Sequence, residues 1–382
     1  MQMAAHAPKK QWIASKPDDD FGPANALKHS ALNLSDNNLS AQTDNPPSAE
    51  PISTPLEVAK DYDGLVAALR AHRTRIHERR AKTYNFHDED NLLRRCFPYP
   101  PEKPKVWVKY DNSFRNIRRE ADIQTLVHEH LKNVHAVRIP KVLAVHYVLA
   151  KIDDSSSPAA LGRPAAMNVM EYVPGTKIGD ALKRAIAIDK ASVVDGVAQT
   201  RLEDEFNSRI GDAIVAMALV SPAVDQKPAP PCGGRTMHEV WGDSDTSESQ
   251  APREFMSVQD LENEVNKVVQ KVLPSETARA DFSAEPLRLC YGGIRYGNFL
   301  VDDISDPKSI ITIVDFEHTN WLPVSFLYWE LQVATDDVIS RAVHKKLSPH
   351  VEPNQDNIKE VNFFSLARRN LIHDGRIIVI GD

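Results

Sequence analysis

The sequence predicts an α+β fold in two lobes, and three observations carry that prediction. A β-branched and aromatic run at 105–110 leads into a helical stretch at 113–131 and two further strand-like runs at 142–149 and 167–173. Helical segments dominate the remainder of the chain, and strands gathered ahead of helices mark an α+β chain. A Pro174-Gly175 turn closes the strand-rich part, and 382 residues suffice for two lobes with cores of their own.

Taken in order, residues 1–55 are rich in Asn, Asp, Ser and Pro without helical or strand period. Such a stretch buries too little apolar surface to offset its ordering entropy, so the expectation is a disordered arm. Residues 56–173 form the first lobe together with a basic helix ahead of it. Val58, Tyr62, Leu65, Val66 and Leu69 recur at helical spacing, and the pattern runs on through 70–82. The 105–110 strand comes after a proline cluster. Ser113 is placed to cap the next helix, whose apolar positions include Ile117, Ile123, Val127 and Leu131. A loop is expected at 153–166. The second lobe, 174–382, holds a Pro-, Gly-, Ser- and Asp-rich loop at 221–253, long enough to be partly disordered or a lid. After it come a helix at 255–272 and a glycine-bearing segment from Tyr291.

Composition narrows the function classes. Hydrophobic residues are 42% and charged residues 26%, as in soluble globular proteins. A net charge of -7 argues against nucleic-acid binding through the overall field but leaves room for a local basic patch. Cys96, Cys232 and Cys290 are too few and scattered for a disulfide framework or a zinc site. The first residues show no signal sequence, and the longest apolar stretch, 213–220, is too short to cross a bilayer. These features give a cytoplasmic expectation, with no membrane partner.

Three motifs sharpen the fold. MEYVPG stands at 170–175, CYGGIRYGNFLVDD at 290–303 and IVDF at 313–316. In order and spacing they resemble the hinge, the catalytic loop and the metal-binding strand of the aminoglycoside phosphotransferases, over roughly 106–334. The resemblance implies a two-lobed, protein-kinase-like fold. It implies that the backbone around Glu171 receives an adenine ring, that Lys109 contacts phosphate, and that Glu120 is its ion-pair partner. It also implies that Asn298 and Asp315 are ligands of Mg²⁺, a hard cation that prefers oxygen.

Two departures stand out. Where the family has His-Gly-Asp the chain has Tyr291-Gly292-Gly293. Gly293 cannot take a proton from a substrate hydroxyl, a loss of about 10²–10⁴-fold in rate. No glycine occurs between Leu65 and Leu161, where a nucleotide-covering hairpin belongs, although close backbone approach to phosphates usually needs one. Weak or absent ATP hydrolysis is the resulting expectation. Glu317 and His318 could supply another acid or base, though His318 is as readily a packed turn residue, and Asn298 could serve only to stabilise its loop.

The helix at 70–82 concentrates Arg73, Arg75, Arg79 and Arg80 in an otherwise acidic chain, either as a phosphate-binding face or as a solvated one. The lost base, the missing glycine loop and this helix together resemble fungal arginine-containing cyclodipeptide synthases, which join amino acids delivered on two aminoacyl-tRNAs. That resemblance implies a biosynthetic enzyme with aminoacyl-tRNA as partner and an Asp-x-x-x-Glu pair in the site. The chain has three such pairs, Asp260/Glu264, Asp281/Glu285 and Asp356/Glu360, and of these Asp260 and Glu264 lie in the expected helix, where their spacing puts both on one face. The alternatives are a divergent phosphotransferase using Mg²⁺ and ATP on a small molecule, and a non-catalytic pseudokinase.

Overall fold

The computed structural model describes residues 54–82, 95–135, 137–148, 165–183, 196–242, 249–272, 279–303, 306, 308–333 and 337–373. All but two residues of the expected N-terminal arm and most of the expected 153–166 loop lie outside them. Thr54 caps helix α1 (Pro55–Lys60) through Glu57 in a reciprocal capping box. The single helix expected over 58–82 is instead two: α1 ends at Lys60 with Asp61 as its C-cap, and α2 (Tyr62–Lys82) starts at once.

A four-stranded antiparallel sheet comes next, in the order β1-β2-β5-β4, from β1 (Cys96–Tyr99), β2 (Val106–Asp111), β4 (Val142–Val148) and β5 (Ala165–Glu171). Strand β1 has no counterpart among the expected elements. Its Pro98 hides it in a proline cluster, and β1 is an edge strand, where a missing amide donor is tolerated. The strand expected at 167–173 is shifted, so residues 165 and 166 belong to β5 rather than to a loop.

Strict alternation in β2 decides the site. Val106, Val108 and Tyr110 are buried in a cluster with Leu65, Leu69, Phe97 and Val169. Period two therefore sends Lys109 to the opposite face of the sheet. Helix α3 (Phe114–Leu131), capped by Ser113, crosses that sheet. Its buried stripe of Ile117, Glu120, Ala121, Gln124, Val127 and Leu131 includes one carboxylate. Helical spacing places Glu120 among apolar neighbours, facing inward.

The larger core gathers α4 (Gly196–Ala218), α5 (Val258–Val272), α6 (Val324–Val333), α7 (Asp337–Leu347) and α8 (Gln355–His373). It also takes Ile123, Val127 and Leu131 from α3, so the chain's two apolar clusters do not part at residue 173. Four short strands, β3 (Val137–Arg138), β6 (Thr176–Lys177), β8 (Phe299–Val301) and β9 (Ile311–Ile313), form a second sheet in the order β3-β9-β8-β6. Strands β7 (Leu287–Tyr291) and β10 (Thr319–Pro323) pair antiparallel. Among the described residues no helix is long and apolar enough to cross a membrane.

The 221–253 segment differs from the expected lid. Several of its described residues are pinned: Ala229 bridges to Trp321, Met237 bridges to Gln250, and the Met237 amide donates to Asn320 Oδ1 at 3.2 Å. Trp241 is fully buried between Phe255 and Phe364, with ring centroids 5.5 and 4.9 Å away. Composition misreads the segment because one tryptophan outweighs many small polar residues in buried area. Trp241→Ala is expected to destabilise the protein by about 3–5 kcal/mol, measured by denaturant unfolding. A loss below about 1 kcal/mol would mean that the segment is a detachable loop.

Candidate active site

Lys109 is the hub of the site. Its Nζ lies 2.8 Å from Glu120 Oε1, 2.6 Å from Asp315 Oδ1 and 3.7 Å from Glu317 Oε2. Three separate elements deliver these groups: β2, α3 and the turn after β9. Burial by itself would lower the lysine pKa, but Asp315, Glu120 and Glu317 outweigh it and hold the ammonium well above its ordinary value. The carboxylates respond differently. Burial raises Glu120 to about 7 despite Lys109 beside it. Asp315 feels the same burial, but the closer ammonium, its hydrogen bond, and the charges of His318 and Arg295 bring it below the ordinary range. Asp315 is the more exposed of the two and makes the shorter contact, so it is the carboxylate that stays ionised.

Asp315 holds a backbone conformation that few side chains accept, with φ of 70°. Asp is among the residues that tolerate this region. Bonds on both sides fix it. The Val314 amide donates to the Asn298 carbonyl at 3.1 Å, and the Phe316 amide donates to Glu120 Oε1 at 3.3 Å. Tyr291 adds a third tie, donating its hydroxyl to the Val314 carbonyl at 2.6 Å. Asn298 is buried and spends its Nδ2 on the Gly293 carbonyl, 2.9 Å away. Its backbone thus bonds the residue next to Asp315, and its side chain braces the loop that carries Gly293.

The site fits a hard divalent cation. Oxygens of Glu120, Asp315 and Glu317 lie within 4.8 Å of one another, with Lys109 the ammonium among them. Three carboxylates around one ammonium leave an excess of negative oxygen, the donor set that magnesium prefers.

The loop from Tyr291 has a floor that sequence reasoning missed. Gly293 donates its amide to Glu330 Oε1 at 3.0 Å, and Glu330 is 3% exposed. Glu330 Oε2 has no hydrogen bond and faces the equally unbonded His238 Nε2 at 3.9 Å. His238 Nδ1 accepts from the Val240 amide, so Nε2 carries the ring proton of the neutral imidazole. The signal was available: Glu330 is the lone charge in VSFLYWELQV, and such a residue in an apolar helix needs an amide or a cation to meet it.

Over this geometry the sequence matches the model of the phosphotransferase enzyme family across residues 108–326, more than half of the chain. The chain belongs to the phosphotransferase enzyme family. Its fold is the kinase-like one of that family. Two solved structures align with it at low identity. The GDP and kanamycin complex of APH(2")-IIia aligns at 13% identity over 69% of this chain and 77% of that one, with a TM-score of 0.38. The GDP complex of wild-type aminoglycoside 2'-phosphotransferase-IIIa aligns at 14% identity over 69% and 76%, with a TM-score of 0.37. No curated protein matches the sequence.

Of the remaining candidates of this phosphotransferase-family chain, His318 borders the Lys109 cluster through Glu317. Asp260 and Glu264 do share a face of α5, but that face meets Arg253. The guanidinium bonds both Asp260 oxygens at 2.7 Å and approaches Glu264 at 3.7 Å. The pair is engaged by Arg253, with Asp260 half-buried and Glu264 buried, and neither residue contacts Lys109. Glu171 ends β5 with its side chain exposed and its amide bonded to the Lys141 carbonyl at 2.8 Å. His318 is buried under Gly292, whose amide bonds the His318 carbonyl, and its Nε2 stands 3.7 Å from Glu317. Of the basic helix, Arg75 is exposed, while the side chains of Arg79 and Arg80 lie outside the described residues. Arg73 is no free phosphate ligand. It lies 5.2 Å over the Tyr110 ring and bonds Asn112 at 3.0 Å.

The Glu330–His238 floor gives opposed pH dependences. Burial lifts Glu330 from 4.5 to about 7, with Glu239 adding to it. An acid with its folded pKa above its unfolded one gains a proton on folding, so its contribution erodes as pH rises between those values. Burial, with His318, lowers His238 from 6.5 to about 3, and a His held neutral makes stability rise with pH over that range. Glu330→Gln keeps an acceptor for Gly293 and removes only the first effect. Its stability relative to wild type should therefore increase by about 1–2 kcal/mol from pH 5 to pH 7 in urea unfolding. A difference that does not change with pH would show Glu330 ionised in the fold.

Proposed function

We propose that the protein is a nucleotide-dependent small-molecule phosphotransferase. The Lys109 cluster carries this reading, since one ammonium held among Glu120, Asp315 and Glu317 is the machinery phosphoryl transfer uses. In this reading Lys109 receives the phosphates of a nucleoside triphosphate, and Glu120 fixes its direction. Asp315, braced by the Asn298 backbone, would hold a divalent cation together with an oxygen of Asn298 or Glu317. A bound cation would neutralise phosphate charge as the phosphoryl group moves. Catalysis of this kind is mostly positioning and electrostatics, so a chain without a base at residue 293 still has most of the apparatus.

Joining amino acids from aminoacyl-tRNA has less support. The family match is to phosphotransferases, Asp260 and Glu264 are engaged by Arg253, and Arg73 is used in packing. A nucleotide-binding protein without transfer is favoured by one observation, the glycine at 293.

Calorimetric titration with Mg²⁺ and either ATP or GTP tests the proposal. Binding in the micromolar to millimolar range is expected, weakened at least tenfold by Lys109→Met, the loss of about one charge-assisted hydrogen bond. Asp315→Asn should remove the dependence of binding on Mg²⁺. If neither nucleotide binds wild-type protein at millimolar concentration, the reading fails. If nucleotide binds but is never turned over with any acceptor, the non-catalytic alternative takes its place.

A further inference from the structure

The place left by the missing base is filled by a cation. Gly293 has φ of +89°, a conformation that glycine alone adopts without strain. A Cβ built there would meet Asn298 Nδ2 at 3.1 Å, Arg295 Nη2 at 3.6 Å and Arg295 Nε at 3.8 Å. Any side chain at 293 would therefore extend toward the Arg295 guanidinium. Its neighbour Gly292 is hemmed in as well, since a Cβ there would lie 2.8 Å from His318 Cβ and 2.9 Å from its carbonyl oxygen. The loop is thus shaped for two glycines, and an aspartate at 293 would be strained and crowded. Arg295 is exposed, and among the described residues its guanidinium makes no hydrogen bond or ion pair. Its charge is nevertheless felt by Asp315 and by Glu330.

Resting on the phosphotransferase reading, we propose that the phosphoryl acceptor of this site is a carboxylate, held by Arg295, and not a hydroxyl. The chemistry of the acceptor explains the missing base. An alcohol must lose a proton as it attacks phosphorus, and a group at residue 293 would take it. A carboxylate has none to lose above about pH 4. One of its oxygens attacks the γ-phosphorus of the nucleoside triphosphate, forming the new O–P bond. The bond from that phosphorus to the β,γ-bridging oxygen breaks, and the nucleoside diphosphate leaves with the electron pair. The products are an acyl phosphate and the diphosphate, and no proton changes hands. A guanidinium suits this acceptor because its two parallel N–H groups match two carboxylate oxygens. A phosphate acceptor fits less well, since its second negative charge would sit close to Asp315 and Glu317.

The test uses the whole chain with Mg²⁺, ATP or GTP, and two acceptor panels. One holds amino acids, aliphatic and aromatic monocarboxylates and dicarboxylates, and the other holds polyols, amino alcohols and sugars. Hydroxylamine in the assay converts an acyl phosphate to a hydroxamate, as its nitrogen takes the acyl carbon and expels phosphate, and the iron complex of the hydroxamate is coloured. Hydroxamate is expected from members of the first panel only. Arg295→Ala should lower kcat/KM for the acceptor by about 10–100-fold, the loss of hydrogen bonds between charged groups. Arg295→Lys should recover part of it, and nucleotide binding by titration should change less than about threefold in either variant. An exposed residue changed in this way should leave thermal unfolding unaltered, which excludes misfolding as the cause. Absence of nucleotide binding in wild type defeats the phosphotransferase reading and this inference with it. Bound nucleotide with transfer to hydroxyl compounds, no hydroxamate from any carboxylate, or equal activity in Arg295→Ala overturns the acceptor assignment alone.

Discussion

One buried ammonium organises the molecule. Lys109 ties the β1-β2-β5-β4 sheet to α3 through Glu120 and to the turn after β9 through Asp315. These elements come from parts of the chain about two hundred residues apart, and a few charge-assisted bonds fix their relative positions. Stability alone does not explain such a cluster. Taking charges out of water costs several kcal/mol per ion, and a buried ion pair is often no better than an apolar replacement. Asp315 adds a left-handed backbone to that cost. Strain and desolvation concentrated at one cleft are what a ligand-binding site requires, and elsewhere they would be a defect.

Around this hub the chain separates support from chemistry. Glu330 under the Gly293 amide, Asn298 on the Gly293 carbonyl and Tyr291 on the Val314 carbonyl hold the loop from three sides. Each bond goes to backbone and none uses a side chain of residue 293, so the loop is held in a shape that suits glycine there. A glycine at 293 deletes a proton acceptor without loosening the scaffold, and Arg295 then sets the charge of the vacated place.

Much of this was legible in the sequence wherever period and motif coincide. Alternation in 106–111 fixes the face of Lys109, and the 3.6-residue stripe of α3 fixes that of Glu120, because each period is a property of the local backbone. The motif IVDF placed Asp315 at the end of a buried strand. Legibility failed where proximity arises from long-range packing. Composition made 221–253 a loose loop, whereas Trp241 in an aromatic pocket decides its structure. Spacing put Asp260 and Glu264 on one face but could not say that Arg253 lies across it. The patch at 70–82 looked uniform as a string of charges, yet Arg73 turns inward over Tyr110 while Arg75 stays in solvent.

The same limit hid Arg295. Two residues from Gly293, it reads in sequence as an ordinary loop arginine, and nothing local says where its guanidinium goes. The backbone at 293 settles that. With a positive φ at 293, a side chain there would be directed toward residues 295 and 298. If Arg295 receives the acceptor, as proposed, a positive charge beside residue 293 selects among acceptors before any bond is made. In the proposed acceptor assignment, Asp315 and Glu317 present negative charge and Arg295 positive charge, so an acceptor whose carboxylate reaches Arg295 is favoured over one that meets only the carboxylates.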